Sequence, residues 1–243
     1  MKKIKKRVAI QLKHATKTYE LHHEKPTLAE KVLKRKDKQS FTALKNLTIS
    51  VREGDRIGIV GSNGSGKTTL LKVIAGISTL TSGFLFTRGK IVSLIDVSAG
   101  FHPDMTGTEN IFLNGLIVGM SKKDLKEQYE SIVSFADIGT FIDAPLYTYS
   151  EGMKLRLGFS VAIHASPDIL ILDEGIAAGD ANFQEKLNKK VLKLFSEGKT
   201  ILVVSHWLEY LEKNCTKFLW INKGKIEKFG GMEVLELYRK SLR

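Results

Sequence analysis

The segment with the clearest chemistry is Gly61–Thr68 (GSNGSGKT), which matches the P-loop pattern G-x-x-x-x-G-K-[ST] at every defined position. It follows the apolar run Arg56–Val60 and opens a predicted helix at Thr68–Ala75. Glycines let such a loop wrap closely, so that backbone N–H groups and the helix N-terminus face a phosphate. Lys67 is expected to reach the β- and γ-phosphates of ATP, and the Thr68 hydroxyl to ligate Mg²⁺. The predicted nucleotide contacts are Gly61, Ser62, Asn63, Gly64, Ser65, Gly66, Lys67, Thr68 and Thr69.

Two later apolar runs lead into polar side chains. Ile169–Leu172 is followed directly by Asp173 and Glu174, and Thr200–Val204 is separated from His206 by one residue. The carboxyl ends of parallel strands meet at one edge of a sheet, where open α/β proteins bind their ligands. Asp173 is therefore expected to hold Mg²⁺, Glu174 to polarise the attacking water as general base, and His206 to donate to the γ-phosphate.

The elements that would position these residues alternate along the chain. Strands are predicted at Val8–Leu12, Leu47–Val51, Arg56–Val60, Lys90–Ile95, Ile169–Leu172, Thr200–Val204 and Lys217–Ile221, and helices at Thr68–Ala75 and Phe183–Phe195. Apolar residues at helical spacing from Gly107 to Ala144 predict a helical insertion, in which Ser121 and Asp124 have the form of a capping box. Strands that alternate with helices imply a largely parallel sheet covered on both faces.

Composition excludes several classes of protein. Apolar residues make up 42% of the 243 residues, enough for a full core, but no run approaches the roughly 20 apolar residues of a membrane-spanning helix. The basic N-terminus lacks the apolar region of a signal peptide. A single cysteine, Cys215, excludes a disulfide framework and a multi-cysteine zinc site, and is expected to be a small buried side chain.

The positive charge is concentrated near the N-terminus. The net charge is +12, and residues 1–40 hold 13 Lys or Arg against 4 Asp or Glu. The segment Leu21–Ser40, densest at Lys31–Lys38, is predicted to be an insertion between two strands, with a short helix at Leu28–Lys36. Contact with an anionic membrane surface or a partner, and a merely solvated loop, are both compatible with it. Nucleic acid is not predicted as a partner, because no reading module accompanies the charge.

The segment before the acidic strand points to one family of P-loop ATPases. Tyr149–Met153 (YSEGM) is followed by the helix-like stretch Leu155–Ala162, an order that resembles ABC ATPases, whose signature loop is typically LSGGQ. Ser150 and Gly152 match the family positions that contact the γ-phosphate bound to a second subunit. Glu151 and Met153 replace the first Gly and the Gln. A hydroxyl and bare backbone at a helix N-terminus suit an anion.

Three further positions follow from that resemblance. Asp180 corresponds to the D-loop aspartate at the dimer seam, a role compatible with capping the following helix. Tyr19 fits the aromatic residue that stacks on adenine, but Phe41, beyond the insertion, is a rival. The segment Ile95–Phe101 occupies the place of the Q-loop and contains no Gln, so that Asp96 is a candidate to sense the metal or water instead.

Longer strings resemble one branch of the family, the ATPases of polysaccharide exporters. They are Ser98–Gly115, Phe135–Met153 and Pro167–Lys186, and the resemblance extends over about residues 8–240. These ATPases energise export of lipid-linked teichoic acids or O-antigens, and their signature is typically YSSGM. Some O-antigen ATPases carry a C-terminal carbohydrate-binding domain, which is not expected here because the sequence stops at Arg243. This favours teichoic acid export.

The resemblance implies a complete architecture. The expected fold is α/β, a P-loop RecA-like core (residues 8–97 and 166–243) with a mostly parallel sheet, an N-terminal antiparallel β portion and an inserted helical subdomain (98–165). Two copies would enclose two Mg-ATP molecules, with Ser150 and Gly152 completing the partner's site. A separate transmembrane permease would bind the polymer and dock near Ser98–Pro103, which would place the chain at the cytoplasmic face of the membrane.

Two other classes of function remain as alternatives. One is a soluble ABC ATPase acting in translation or DNA repair, although the translation factors usually carry two tandem cassettes and this chain has one. The other is a non-catalytic binding module with a degenerate nucleotide site. The presence of Lys67, Asp173, Glu174 and His206 argues against the second.

Overall fold

The computed structural model describes residues 7–20, 40–95, 97–173 and 180–242. The first sheet of the fold has three antiparallel strands in the order β2-β1-β4. They are β1 Val8–Glu20, β2 Ser40–Arg52 and β4 Ser82–Thr87. The predicted insertion Leu21–Ser40 lies outside the described residues except for Ser40, which is the first residue of β2 rather than part of the insertion.

A second sheet of six strands carries the segments predicted to do chemistry. Its strands are β3 Arg56–Val60, β5 Ile91–Ser93, β6 Ile169–Leu172, β7 Thr200–Val204, β8 Lys217–Asn222 and β9 Lys225–Gly230. Their order is β5-β6-β7-β3-β8-β9, and every pair is parallel except β8 with β9. The ends of β3, β6 and β7 therefore meet at one edge, as the sequence predicted.

Helices follow most of the parallel strands, and three of them lie within residues 98–165, the predicted helical subdomain. The helices are α1 Lys67–Ile74, α2 Gly107–Ile117, α3 Lys122–Ala136, α4 Glu151–His164, α5 Ala181–Ser196, α6 Leu208–Asn214 and α7 Met232–Ser241. Short 3-10 turns at Gly139–Asp143 and Leu146–Thr148 connect α3 to α4. Within the described ranges, no helix combines the length and apolar character needed to cross a membrane.

The core confirms the α/β class. Successive residues of β6 point to opposite faces of the six-stranded sheet, so that Leu170 and Leu172 pack in one buried cluster, and Ile169 and Ile171 in another. The first cluster includes side chains of α4, α5 and α7, and the second includes those of α1 and the three-stranded sheet. A sheet covered on both faces is what near-continuous apolar strands require.

The antiparallel strands are longer than the sequence predicted, because bulges hide their periodicity. The alternation used to predict Val8–Leu12 stops where the pairing of β1 with β2 shifts register, at three places between Leu12 and Thr18. His14 in β1 and Asn46 in β2 adopt positive φ angles of 50° and 56°. A bulge adds an unpaired residue, so the period-2 pattern is lost although pairing resumes beyond it.

In the helical segment, a capping signal in the sequence was a more reliable guide to the structure than the alternation of apolar residues was in the strands. Ser121 and Asp124 form the predicted capping box, with the Ser121 hydroxyl accepting the Asp124 N–H and the Asp124 carboxylate accepting the Ser121 N–H. Thr106 and Glu109 form a second box at the start of α2, which the sequence analysis missed. Each satisfies backbone donors that a helix N-terminus otherwise leaves open.

Candidate functional site

The loop between β3 and α1 has a backbone that only glycine allows at two points. Gly61 has φ of 153°, and a Cβ there would overlap the Ile221 carbonyl of β8. Gly66 has φ of 110°, and a Cβ there would lie 2.7 Å from the Ala43 carbonyl of β2. The two glycines therefore let the loop pass closely by β8 of one sheet and β2 of the other. These close contacts fix the position of the loop at the sheet edge.

Lys67 is held inside this loop. Its side chain is 8% exposed, and its Nζ donates to the carbonyls of Gly61 at 2.9 Å and Ser62 at 3.2 Å. Gly66 is the N-cap of α1 and supplies no side-chain cap, and the first turn of α1 contains no acidic residue. A cation and a helix N-terminus whose own first turn has no carboxylate together form a site for an anion such as a phosphate.

Thr68 and Asp173 join the loop to the end of β6. The Thr68 hydroxyl donates to Asp173 Oδ2 at 3.2 Å, although the two residues are 105 positions apart. Hydroxyl and carboxylate oxygens are ligands that suit Mg²⁺. Among the described residues, no group of three or more His, Cys, Asp or Glu is arranged to hold a metal. Two protein ligands are typical where Mg²⁺ is shared with substrate phosphates and water, so these residues fit that ion.

An open pocket of about 290 Å³ lies over the loop. Its lining comprises Phe41, Ala43 and the loop and helix residues Asn63–Thr69. Phe41 is 52% exposed there. Tyr19 is the partner of Phe41 in the β1–β2 register, and the Lys17 ammonium lies 4.8 Å from the centre of its ring. The pocket lining favours Phe41, the rival, as the ring next to a bound base, and the role of Tyr19 stays a prediction.

A second cavity, of about 150 Å³, brings His206 to the loop. It is lined by Val60, Gly61, Lys67, Ser205, His206, Leu208, Tyr238 and Leu242. Lys67 and His206 therefore belong to one lining although 139 positions separate them in the sequence. That both face the same phosphate stays a prediction. Glu174 and Asp96 lie outside the described residues, and their predicted roles stay predictions.

The signature segment lies at the start of α4. Ser150 is the N-cap, with its Oγ accepting the Met153 N–H at 3.2 Å, and Glu151 pairs with Lys154 at 2.7 Å. Ser150, Glu151 and Gly152 are exposed. Among the described residues, a Cβ on Gly152 would meet only the Ser150 Oγ, at 3.9 Å, so packing within that part of the chain does not explain why this position is glycine. Neither of the two pockets described above is lined by Ser150 or Gly152.

Tyr149 fixes the loop that leads into this segment. Its side chain is buried, and its hydroxyl donates to the Phe141 carbonyl. Burial raises the pKa of Tyr149 to about 12, so the phenol keeps its proton at physiological pH. The loop before Ser150 is thereby tied to the 3-10 turn at Gly139–Asp143, while Ser150 itself remains exposed.

Asp180 is in contact with the same helix. It caps α5, accepting the Phe183 N–H at 2.9 Å, which confirms the predicted cap. Its other carboxylate oxygen lies 3.6 Å from Nη1 of Arg156 in α4. Sequence reasoning missed Arg156, and the available signal was that it is the one charged residue in the sequence stretch Leu155–Ala162. The ion pair links the helix of Ser150 to the predicted D-loop position.

Two buried asparagines, also missed, hold the loop in the predicted permease-contact region. Asn110 Nδ2 donates to the carbonyls of His102, Met105 and Thr106, and its Oδ1 accepts the His102 N–H at 2.7 Å. Asn114 Nδ2 donates to the Ala99 carbonyl at 3.1 Å. Both face the loop from α2 at i, i+4 spacing, which was the signal that the sequence offered.

An apolar surface lies beside this loop at the end of α2. Leu116 is 46% exposed and Ile117 is 59% exposed. The Ile117 Cδ1 lies so close to Gly100 that a Cβ on that glycine would come within 2.8 Å of it. Exposed aliphatic side chains next to an anchored loop form a surface suited to a protein partner.

Comparisons with known proteins agree with this geometry. The family model described as ABC transporter matches residues 44–177. The O-antigen export system ATP-binding protein RfbB of Myxococcus xanthus is 44% identical over 208 residues, which cover 85% of this chain and 48% of that protein. The teichoic acids export ATP-binding protein TagH of Lactococcus lactis is 39% identical over 239 residues, covering 96% of this chain and 51% of that protein.

The chain spans about half the length of those two relatives, but it matches another over nearly its full length. The O-antigen export system ATP-binding protein RfbB of Klebsiella pneumoniae is 36% identical over 244 residues, covering 96% of this chain and 98% of that protein. Among solved structures, a dimeric ATP-binding cassette in a post-hydrolysis state bound to ADP and Pi has a TM-score of 0.71 at 23% identity, covering 92% of this chain and 98% of that chain. That similarity supports the fold.

Proposed function

We propose, from the premise that the chain belongs to the ABC transporter family and to its polysaccharide-export branch, that it hydrolyses ATP to power export of a lipid-linked cell-surface polysaccharide. The observation that carries the proposal is the contact between Thr68 and Asp173 at 3.2 Å. It joins the phosphate-binding loop to the acidic end of a buried strand, and this is the arrangement that phosphoryl transfer needs.

Each residue of the site has a separate task. Lys67 binds the β- and γ-phosphates from inside the loop, and Thr68 and Asp173 would hold Mg²⁺, which neutralises phosphate charge when bound. His206 donates to the γ-phosphate from the end of β7. Glu174, which follows Asp173 in the sequence, takes a proton from the attacking water as general base.

The active form is proposed to be a pair of identical chains. Ser150 and Gly152 are exposed and do not line the pockets beside Lys67, so a second copy is needed to bring them to a phosphate. Packing among the described residues gives no reason for a glycine at position 152, which supports a contact with something outside the chain. Asp180 lies at the seam and is linked by Arg156 to the helix of Ser150. A cassette of the same fold is dimeric.

ATP then acts by stabilising the closed pair. The nucleotide contacts both copies only when they are closed, so its affinity is higher for the closed state, and this difference drives closure. Hydrolysis removes the γ-phosphate contact with Ser150 and Gly152, and the pair reopens. The cycle converts ATP turnover into a movement that a bound partner can follow.

That partner is a separate transmembrane permease. The surface formed by Gly100, Leu116 and Ile117, beside the loop that Asn110 and Asn114 anchor, is the proposed docking site. The chain would then work at the cytoplasmic face of the membrane. Residues 21–39, which lie outside the described part, would add a basic contact with anionic lipid. Neutralising Lys34, Arg35, Lys36 and Lys38 should weaken membrane association in the absence of the permease.

The polymer is proposed to be a teichoic acid, with O-antigen as the second candidate. Relatives named for either export system match this chain at 36–44% identity. The two are separated by reconstituting the chain with its permease and adding lipid-linked precursors of each polymer. Stimulation of ATP hydrolysis by the teichoic acid precursor alone would support the first, and stimulation by the O-antigen precursor alone would replace it with the second.

The hydrolytic proposal is tested with Glu174→Gln. This variant should form a dimer on addition of ATP, seen by size-exclusion chromatography, while phosphate release falls at least about a hundredfold, the scale of a lost general base. Lys67→Ala is the control, because it should lose ATP binding and dimerisation together. Wild-type turnover in Glu174→Gln would refute the base assignment. Absence of ATP-dependent dimerisation would refute the paired site.

A further inference from the structure

The most exposed large apolar residue in the described part of the chain is Trp207, which follows His206 after the end of β7. Trp207 is 75% exposed, whereas the next residue, Leu208, packs against the core. Single apolar side chains are common on protein surfaces, so exposure alone does not indicate a function. The position of Trp207 directly after a predicted catalytic residue distinguishes it from the other exposed apolar residues.

The local fold gives no reason for an indole at position 207. Trp207 is the N-cap of α6, and its side chain makes no capping hydrogen bond. An N-cap favours serine, threonine, asparagine or aspartate, whose side chains can accept a backbone N–H. Among the described residues, no aromatic ring packs on the indole either. The side chain therefore contributes little to the stability of a single chain.

A hydrogen bond fixes the turn that carries Trp207. The Trp207 N–H donates to Ser205 Oγ at 3.1 Å, which closes a tight turn around His206. Ser205 and His206 line one cavity with Lys67, which is expected to bind the β- and γ-phosphates. Consecutive Cα atoms are only about 3.8 Å apart, so Trp207 lies at the rim of the surface where the γ-phosphate is expected.

We propose that Trp207 is an interface residue, which packs against a second copy of the chain when ATP closes the pair. The inference rests on the proposed function, in which the second copy brings Ser150 and Gly152 to the γ-phosphate. His206 donates to that phosphate, so a surface that closes over it also approaches the next residue, Trp207. The pair is symmetrical, and closure therefore buries two indoles.

An exposed tryptophan suits a contact of this kind. The indole offers a large, rigid apolar surface, and tryptophan is enriched among the residues that dominate the affinity of protein interfaces. The indole is in water while the chains are apart, so its burial stabilises only the closed state. In a symmetrical pair the loss of this contact counts twice, and truncation should raise the Kd of the dimer about a hundredfold or more.

The first experiment measures pairing of the full chain in the Glu174→Gln background, which should hold the closed dimer once Mg-ATP is added. Trp207→Ala in that background should raise the dimer Kd, measured by analytical ultracentrifugation, about a hundredfold or more. Phe84→Ala is the matched control, because Phe84 is a ring 53% exposed on β4 of the other sheet, and it should leave the dimer Kd unchanged. Neither variant should change Tm, or the Kd of a fluorescent ATP analogue at protein concentrations too low for pairing.

The second experiment observes the indole without removing it. The sequence contains two tryptophans, so Trp220→Phe leaves Trp207 as the only one. With Trp220→Phe added to the Glu174→Gln background, Mg-ATP should shift the emission of Trp207 to shorter wavelength and reduce its quenching by acrylamide, because the indole leaves water. Both changes should follow the fraction of dimer as the protein concentration is varied.

The outcomes separate this inference from the proposed function. If the Glu174→Gln chain pairs and Trp207→Ala leaves its dimer Kd unchanged, or if pairing leaves the emission of Trp207 unchanged, the inference is refuted and the proposed function stands. An emission change that is independent of protein concentration, or a loss of pairing that accompanies a fall in Tm, also counts against the interface role. A Glu174→Gln chain that binds ATP and does not pair refutes the paired site of the proposed function, and this inference with it.

Discussion

Tyr19 and Phe41 are direct partners across the β1–β2 pair, and Phe41 lines the pocket that Asn63–Thr69 form. Opposite residues of an antiparallel pair present their side chains on the same face of the sheet. The two aromatic rings are therefore neighbours, although 22 positions separate them in the sequence.

The pocket lining predicts that Phe41, and not Tyr19, contacts the adenine base of ATP. Phe41→Ala should weaken ATP binding by about 1 kcal/mol, roughly fivefold in Kd, because a ring–base stack is lost. Tyr19→Ala should have a smaller effect, since Tyr19 does not line the pocket over the loop. Displacement of a fluorescent ATP analogue measures both.

Tripolyphosphate provides the control, since it has the phosphates and no base. Its affinity should be the same in Phe41→Ala as in the wild type. A larger loss of ATP affinity in Tyr19→Ala than in Phe41→Ala would restore Tyr19 as the stacking residue.

The contact of Thr68 with Asp173 predicts a dependence on magnesium. Thr68→Val has nearly the same shape and lacks the hydroxyl, so ATP hydrolysis should fall by about a hundredfold or more when a Mg²⁺ ligand is lost. Thr68→Ser keeps the hydroxyl and is the matched control, with most of the activity retained. The measurement is the rate of phosphate release as a function of Mg²⁺ concentration. Equal rates in Thr68→Val and Thr68→Ser would remove the hydroxyl from the metal site.

The sequence was sufficient to predict the position in the fold of residues that are identified by their spacing along the chain. Gly61–Thr68 was recognisable because Gly61, Gly66 and the Lys-Thr pair have fixed positions, and Asp173 and His206 because each follows an apolar strand. The six-stranded sheet confirms that these strand ends share an edge. In each case the information lies within a few residues of the site.

Contacts between distant elements could not be predicted. The Arg156–Asp180 pair joins α4 to α5, and Tyr238 reaches the loop from the last helix. Their geometry depends on how helices pack on the sheet, which no local pattern specifies. The bulges of β1 were missed for a related reason, since a change of register is a property of two strands and not of one.

Two glycines of α4 should respond in opposite ways to alanine. Gly152→Ala adds a methyl group in open space and replaces a poor helix former, so Tm should stay the same or rise. Hydrolysis should nevertheless fall about tenfold or more, because the methyl group would separate the backbone from the partner's γ-phosphate. Thermal unfolding and phosphate release, measured on the same sample, test this.

Gly158→Ala is the matched control in the same helix. A Cβ there would overlap the Val97 carbonyl, so the variant should lose about 1–3 kcal/mol of stability. For a chain of this size each kcal/mol lowers Tm by about 2–4 °C. If Gly152→Ala kept full activity, Gly152 would have no contact with a partner's nucleotide, and the paired site would need another residue.

His164, at the end of α4, predicts a loss of stability in acid. Removal from water lowers the pKa of His164, and this outweighs the opposing effect of the Ser160 carbonyl, which lies 2.7 Å from its Nδ1. The unfolded chain, where histidine has a pKa near 6.5, therefore binds a proton more readily than the folded chain does. The free energy of unfolding is then independent of this group above that pH, and it decreases as the pH falls from about 6.5 towards the lower pKa of the folded state.

Replacement of His164 by Phe should remove that part of the pH dependence. The new ring keeps the edge contact that His164 makes with Phe135, where the centroids are 5.5 Å apart, but it cannot take up a proton. The variant loses the bond to Ser160, so it should be less stable than the wild type at pH 7.5, and the difference should shrink at pH 5.5. Denaturant unfolding of both proteins at the two pH values measures this change. A difference that stays constant with pH would mean that His164 binds protons equally well in the folded and unfolded chains, contrary to the effect of its burial.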